Sequence, residues 1–459
     1  MRLPQEFCDR MSPLLRDEWT AFLAAYDAPL RRGLRVNTAK LSVQEFRALF
    51  PLPLTPSPFA TDAFYLDAPH KAGSDPLHHA GAYYMQEPSA ASAVTVLAPN
   101  PHEKILDLCA APGGKSTQIL AALGDSGLLW SNEYIPARAR ILEQNLERCG
   151  ARRQVVSNSD TAKLCAALTD YFDAVLVDAP CSGEGMFRKE PQALTEWSID
   201  NIRLCAARQT EILHNAARAV RPGGRLVYST CTFAPEENEA VIARFLADHP
   251  EFSLVPITVS WGTPAFAFDR IRSFCDVDTC TADLTTCRRI FPQHGGEGHF
   301  VALLKRCADA PANPPRAYSP PAKDANRAAA RELYEECFIS PPNGEFVTVG
   351  DSVRLLPPEL PDLTGINILS AGIRVAEVCK NRLEPSHGAF LATSLDNCRH
   401  SISLSPDDPR LNAFLHGEEL ALDSEKGWTA IGVKNLPVGF GKCSGGRLKN
   451  RYPKGLRLL

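Results

Sequence analysis

The chain has 459 residues, 44% hydrophobic and 22% charged, an ordinary balance for folded protein with room for two or three domains. It contains no run of about 18 or more apolar residues, and its start, MRLPQEFCDRMSPLL, lacks a basic flank followed by an apolar stretch, so we expect a cytoplasmic protein that touches no membrane. A net charge of −4 excludes a global basic field, and 15 cysteines, odd in number and without a C-x-x-C pair, exclude a disulfide framework and a zinc ribbon.

Strand-like apolar runs alternate with helical patterns from residue 104 onward. KILDLC (104–109) precedes a Gly-rich turn and a helix, LLWSNEY (128–134) a helix through ARARILEQNLERCG, and QVVSNSD (154–160) a short helical stretch. FDAVLVDAP (172–180) precedes a long helical region ending at RPGG (221–224), and RLVYSTCT (225–232) precedes ENEAVIARFLADH. This alternation predicts an α/β fold, a parallel sheet with helices on both faces. RRIFPQ (288–293) and HFVALLKR (299–306) read as a hairpin added to one edge, while Cys275, Cys280 and Cys287 lack paired ligand spacing, so no metal is expected. Residues 308–324, ADAPANPPRAYSPPAKD, read as an extended linker that divides the protein.

In such sheets ligands gather at the carboxyl ends of the strands, where Asp107, Glu133, Asp160, Asp178 and Cys231 all fall. The stretch DLCAAPGGKST (107–117) contains Gly-Lys-Ser, but Cys109 stands where a phosphate-binding P-loop needs its first glycine, and no G-x-G-x-x-G is present. What remains is a tight turn opening a helix, whose free backbone N–H groups suit a carboxylate or ribose rather than a row of phosphates. Glu133, 26 residues after Asp107, is placed to accept from two ribose hydroxyls, and Asp160 to receive an adenine amino group. A nucleoside with a carboxylate and no phosphate is S-adenosylmethionine.

Two cysteines close strand-like runs, Cys181 in DAPCSGEG and Cys231 in YSTCT. Cytosine C5 is a poor nucleophile; a thiolate adding at C6 builds electron density at C5, so methylation there needs an activated cysteine, a partner for charge developing on the ring, and a base for the C5 proton. Asp178, three residues before Cys181, is placed to hydrogen-bond the cytosine amino group and ring nitrogen, while spacing alone leaves open which cysteine attacks.

From Lys426 to Leu459 the tail carries Lys426, Lys434, Lys442, Arg447, Lys449, Arg451, Lys454 and Arg457 without an Asp or Glu. Interleaved Trp428, Phe440 and Tyr452 lead us to expect a surface that holds phosphates and stacks bases.

DLCAAPGGKS, DAPCSGEG and YSTCT together resemble the Sun-type family of RNA (cytosine-5) methyltransferases, as do RVN (35–37), YYMQEPSA (83–90) and RIFPQHGGEGHFVALL (289–304). The resemblance implies a Rossmann-like class I methyltransferase domain using S-adenosylmethionine, with Cys231 as nucleophile and Cys181 assisting release of the product. It also implies cofactor contacts from Cys109, Ala110, Ala111, Pro112, Gly113, Gly114, Lys115, Glu133, Asp160 and Asp178. His299 departs from the family, which commonly has an aromatic there.

ILSAGIRVAEVCKNRLEPSHGAFLA (368–392) and GFGKCSGGRLKNRYPKGLRL (439–458) are similar to the extension of a bacterial 16S ribosomal RNA branch of that family, which ends in a PUA-like RNA-binding domain; Ala376 stands where that extension usually has glycine. The expected organisation is an N-terminal RNA-binding or helper region (1–90), the methyltransferase domain (91–307), a Pro/Ala-rich linker (308–330) and the extension (331–459). The expected partner is 16S ribosomal RNA or the small subunit, met by a monomer and modified near the decoding region. A transfer-RNA (cytosine-5) methyltransferase shares the catalytic motifs. A non-catalytic RNA-binding assembly factor and a P-loop ATPase are the readings of other classes.

Overall fold

A computed structural model describes residues 3–309, 311–340, 343–380, 382–422 and 424–458. Helices Gln5–Leu15 and Trp19–Ala25 bury Phe7 and Phe22, whose rings meet Phe187 at 5.3 Å and Phe233 at 5.4 Å, edge to face. They thereby brace the two loops that carry Cys181 and Cys231.

A four-stranded antiparallel sheet follows, built from β1 (Arg32–Val36), β2 (Leu54–Pro56), β3 (Ala63–Leu66) and β4 (Tyr83–Met85) in the order β2-β3-β1-β4. Arg35 of β1 is 1% exposed. Its Nε donates to Gln86 Oε1 at 3.2 Å, and its Nη2 donates to Thr117 Oγ1 at 2.6 Å and to the Gly114 carbonyl at 3.2 Å. The RVN arginine thus pins the helix that follows the Gly-rich turn. Breaking so buried a set of charged contacts costs about 3 kcal/mol, so Arg35→Met is expected to lower the urea midpoint by that equivalent and to weaken S-adenosylmethionine binding. An unchanged midpoint would show that the brace is dispensable.

The central sheet runs through β5 (Lys104–Asp107), β6 (Leu128–Asn132), β7 (Gln154–Ser157), β8 (Phe172–Asp178), β9 (Val220–Thr230), β10 (Phe252–Val255), β11 (Thr263–Pro264), β12 (Arg288–Ile290) and β13 (His299–Arg306). Strands β5 to β9 pair in parallel, with β8 beside β9 and Asp178 opposite Ser229. Strand β13 runs antiparallel beside β9, and β12 beside β13, which gives the expected hairpin. Helices Gly114–Leu123, Pro136–Arg148, Thr161–Ala167 and Ile199–Ala219 form the crossovers, and two apolar clusters fill the space on the two faces. Cys287 is buried and Cys275 and Cys280 pack half-buried on the larger cluster. Among the described residues no group of three His, Cys, Asp or Glu is placed to hold a metal ion.

The Pro/Ala-rich segment is less a free tether than its composition implies. The Asn313 N–H donates to Asp170 at 2.9 Å, Ala317 bridges Pro361, and Asp324 accepts from the Thr348 hydroxyl at 2.7 Å. Beyond it lie β14 (Glu345–Val349), β15 (Ser352–Leu356), β16 (Ile368–Ala371), β17 (Ile373–Cys379) and β18 (Arg382–Pro385). Four of these form a sheet ordered β14-β15-β17-β18, whereas β16 pairs antiparallel with β7. The central sheet therefore reads β11-β12-β13-β9-β8-β5-β6-β7-β16, with β10 also on β13. A strand from beyond the linker completes an edge that proline-rich composition could not reveal.

The last sheet, ordered β19-β21-β22-β23-β20, comprises β19 (Ser401–Leu404), β20 (Leu420–Ala421), β21 (Gly427–Val433), β22 (Leu436–Ser444) and β23 (Arg447–Asn450). Its apolar residues join those of the N-terminal sheet in one cluster that includes Val36, Phe46, Phe414 and Val438, and the Tyr452 hydroxyl meets His79 Nδ1 at 2.7 Å. Here the expectation of base-stacking aromatics fails. Trp428, Phe440 and Tyr452 are buried, with Phe440 stacked on Phe390 at 4.3 Å and Trp428 capped by the Lys442 ammonium at 4.6 Å. Trp428 and Phe440 lie on one inner face of β21 and β22, and Tyr452 is buried just beyond the end of β23, while Lys426, Lys434, Lys442, Arg447, Lys449 and Lys454 are exposed. Among the described residues no helix is long and apolar enough to cross a membrane.

Candidate active site

The parallel strands deliver their carboxylates to one edge. Asp107, ending β5, is fully buried and accepts from the Ser116 hydroxyl at 2.6 Å on one oxygen, while its other oxygen has no protein partner. Burial pushes its carboxyl up to about 7. The raised value sets the sign of a pH effect. The proton that Asp107 holds in the folded chain stabilises it below the ordinary carboxylate range, and this contribution is lost as pH rises through about 7. Asp107→Asn, which still accepts from Ser116, is expected to flatten the fall in melting temperature between about pH 5 and 8. An identical slope in both proteins would remove Asp107 as its source.

The turn after β5 runs Cys109–Ala110–Ala111–Pro112–Gly113 into helix Gly114–Leu123. The Ala110 N–H donates to the Asn132 carbonyl at 2.8 Å, Arg138 donates to the Ala111 carbonyl at 2.9 Å, and Asn145 to the Pro112 carbonyl at 2.8 Å. Gly113 has φ +115°, a backbone conformation glycine adopts freely, and a Cβ there would meet Leu142 at 3.2 Å. Burial, with Asp107 beside it, pushes the Cys109 thiol well up, so it is neutral. Glu133 is buried; one oxygen accepts from the Ile135 N–H at 2.9 Å and the other lies 3.7 Å from Arg138. Tyr134 and Ile135, not anticipated from sequence, are 69% and 46% exposed immediately after it. Asp160 caps helix Thr161–Ala167, accepting from the N–H groups of Ala162 and Lys163 on a single oxygen.

Lys115 was expected among the cofactor contacts, but its Nζ turns across the sheet edge and donates to Asp178 Oδ2 at 2.7 Å. Ser229 donates to Asp178 Oδ1 at 2.6 Å. Burial opposes ionisation of Asp178, yet Lys115 outweighs it and holds the carboxyl below its ordinary range; the same pairing outweighs burial at Lys115 and raises its ammonium. Asp178 is therefore an acceptor only.

Cys181 and Cys231, 50 residues apart in sequence, place their sulfurs 3.3 Å apart. The hydrogen bond to Cys231, then burial, pushes the Cys181 thiol well above its ordinary range. Two buried glutamates hold both loops. Glu237 accepts from the Ser182 N–H at 2.8 Å, from the Ser182 hydroxyl, and from Gln209 at 2.9 Å. Glu184 accepts from Thr232 at 3.1 Å, the Phe233 N–H at 2.9 Å and the Trp197 indole at 2.8 Å, while the Gly185 N–H donates to the Cys231 carbonyl at 2.8 Å. Burial pushes the Glu237 carboxyl up to about 7. The signal was present in the run Pro235-Glu236-Glu237-Asn238 just after YSTCT, acidic residues where a core was due to begin.

The unpartnered Asp107 oxygen, the buried Glu133 and the exposed Tyr134 and Ile135 beside it fit a nucleoside bearing an amino acid, while Lys115 is engaged by Asp178. A Rossmann-like sheet with such a cradle next to paired thiols is that of a class I methyltransferase, and its methyl donor is S-adenosylmethionine. Comparison with known proteins narrows the class. Residues 94–305 match the family model described as 16S rRNA methyltransferase RsmB/F. Residues 3–88, 332–395 and 401–458 match the N-terminal domain of 16S rRNA methyltransferase RsmF, the first C-terminal domain of the RsmF rRNA methyltransferase, and the methyltransferase RsmF PUA domain. The chain belongs to the RsmF branch of this family. Ribosomal RNA small subunit methyltransferase F of Vibrio cholerae serotype O1 (strain M66-2) is 32% identical over 99% of this chain and 97% of its own length. The protein of that name from Salmonella arizonae is 34% identical over 95% and 92%. Among solved structures, a methyltransferase homologue from Pyrococcus horikoshii superposes with TM-score 0.57 at 29% identity, covering 66% of this chain and 95% of that one. NSun6 from the same organism, solved with SFG, gives 0.54 at 21% identity over 67% and 99% and shows the shared fold.

Proposed function

We propose that the chain methylates C5 of a cytosine in 16S ribosomal RNA, through a covalent bond between Cys231 and the base. The observation that carries this reading is the pair of sulfurs at 3.3 Å beside an ion pair, because a methyltransferase acting on a heteroatom needs neither thiol. S-adenosylmethionine supplies a methyl group bound to a positively charged sulfur.

The protein's own residues prepare the acceptor. Cys181 keeps its proton, which leaves Cys231 as the sulfur that attacks, with the Lys115 ammonium close enough to feel its charge. The Cys231 sulfur forms a bond to C6, and the C5–C6 electron pair moves toward C5. The Lys115 ammonium is the charged donor that meets negative charge developing on the ring, while the ionised Asp178 accepts from the amino group, so donation to the ring nitrogen falls to Lys115 rather than to Asp178. After C5 is methylated, its proton passes to solvent water, the C–H pair returns to C5–C6 and the Cys231 thiolate is expelled; Cys181 is the neighbour placed to receive that thiolate through its hydrogen bond. Cys109–Gly114, Glu133 and Asp160 hold the cofactor in this account.

A base within a duplex cannot reach Cys231, so the target is unpaired or flipped out. Residues 1–90 and 331–459 select the RNA, the exposed lysines and Arg447 contacting phosphates, and the reaction takes place in the cytoplasm. Labelled methyl transfer to small subunits, stripped 16S RNA and transfer RNA, each digested to nucleosides, tests this. The expected product is 5-methylcytidine from a ribosomal substrate; label confined to transfer RNA would overturn the substrate, and label in another nucleoside the reaction.

A further inference from the structure

His299, the first residue of β13, has no part in the chemistry above, yet it lies close to the Lys115–Asp178 pair. Phe300 pairs with Thr230 across β13 and β9, so His299 and Cys231 are the residues that adjoin the end of that pairing. Gly298, just before it, has its Cα 3.2 Å from the position a Cβ on Gly185 would take, and Gly185 is the residue that donates to the Cys231 carbonyl. The ring is 6% exposed and feels the charges of both Lys115 and Asp178.

Its hydrogen bonds fix its tautomer. The Ser89 hydroxyl has one proton, which goes to Glu87 Oε2 at 2.5 Å. The contact between Ser89 Oγ and His299 Nδ1 at 3.2 Å must then take its proton from the imidazole, and Glu87 Oε2 lies 3.9 Å from that same nitrogen. Nδ1 is the donor, and Nε2, at the far side of the ring, carries a lone pair.

We propose that His299 is a specificity residue of the reaction proposed above, on which this inference rests: its Nε2 accepts one of the two amino hydrogens of the target cytosine while Asp178 accepts the other. Burial, reinforced by Lys115, lowers the imidazolium to about 3, so the ring stays neutral in any working buffer and Nε2 remains an acceptor. Uracil presents a carbonyl oxygen where cytosine presents the amino group, and two lone pairs then face each other. A site built to receive a donor rejects a substrate that lacks it.

The test compares the full-length wild type with His299→Phe and His299→Gln, the second retaining an acceptor at similar reach. Each is assayed for kcat and KM on the 16S RNA that the wild type methylates, and on the same RNA with the methylated cytosine changed to uracil. His299→Phe is expected to lose about tenfold in kcat/KM on cytosine and to narrow the preference over uracil about tenfold, with His299→Gln within about threefold of wild type on both. Melting temperature and S-adenosylmethionine binding are expected to match in all three. A phenylalanine variant with wild-type rate and preference, or a glutamine variant no better than phenylalanine, overturns the proposal. A wild type that methylates no cytosine instead overturns the reaction itself.

Discussion

Cys231→Ala is expected to lose methyl transfer by about 10⁴-fold or more, because Cys231 is the sulfur proposed to bond C6 and the later steps all depend on that bond. The half-buried thiol contributes little packing, so stability should change by no more than about 1 kcal/mol. Cys181→Ala predicts the opposite trace. Bond formation at Cys231 and methylation proceed, release of the product slows, and a protein–RNA species survives on a denaturing gel. Full activity of Cys231→Ala would remove the covalent step, and a trapped species formed by Cys231→Ala in place of Cys181→Ala would exchange the two roles.

The second large effect is expected at the ion pair. Lys115→Met removes the ammonium that meets charge on the ring, and it leaves Asp178, half-buried, without its cation. Removing one charged donor from such a site lowers kcat by about 10² to 10³, while a pair this open to solvent contributes only about 1 kcal/mol of stability. Asp178→Asn keeps the shape and the Ser229 bond, so its rate loss should exceed its stability loss. Losses at both positions confined to KM for S-adenosylmethionine, with kcat intact, would return Lys115 and Asp178 to the cofactor cradle.

Much of the architecture was readable because strand-like runs and Gly-rich turns are local signals. The five parallel strands and the β12–β13 hairpin follow from such runs, as does the convergence of Asp107, Glu133, Asp160 and Asp178 on one edge. The Lys115–Asp178 pairing leaves no local mark, because adjacency to Gly113 and Gly114 says where the lysine backbone lies and not which way a long, flexible side chain turns. The tail aromatics were misread for a related reason: composition cannot separate the two faces of a strand, and Trp428 and Phe440 fall on the inner one. The β7–β16 pairing joins segments more than 200 residues apart and leaves no local mark. Glu237 and Glu184 were passed over because acidic residues are ordinarily surface residues, and only the folded loops show them buried beneath the thiols.

The central claim is a bond between Cys231 and a cytosine. Its most direct test is to incubate Cys181→Ala with S-adenosylmethionine and the 16S substrate, digest the surviving complex with protease and nuclease, and sequence the joined peptide by mass. The account predicts the YSTCT peptide carrying a methylated cytidine on Cys231. A complex joined through any other residue, or labelled product without any joined peptide, would contradict it.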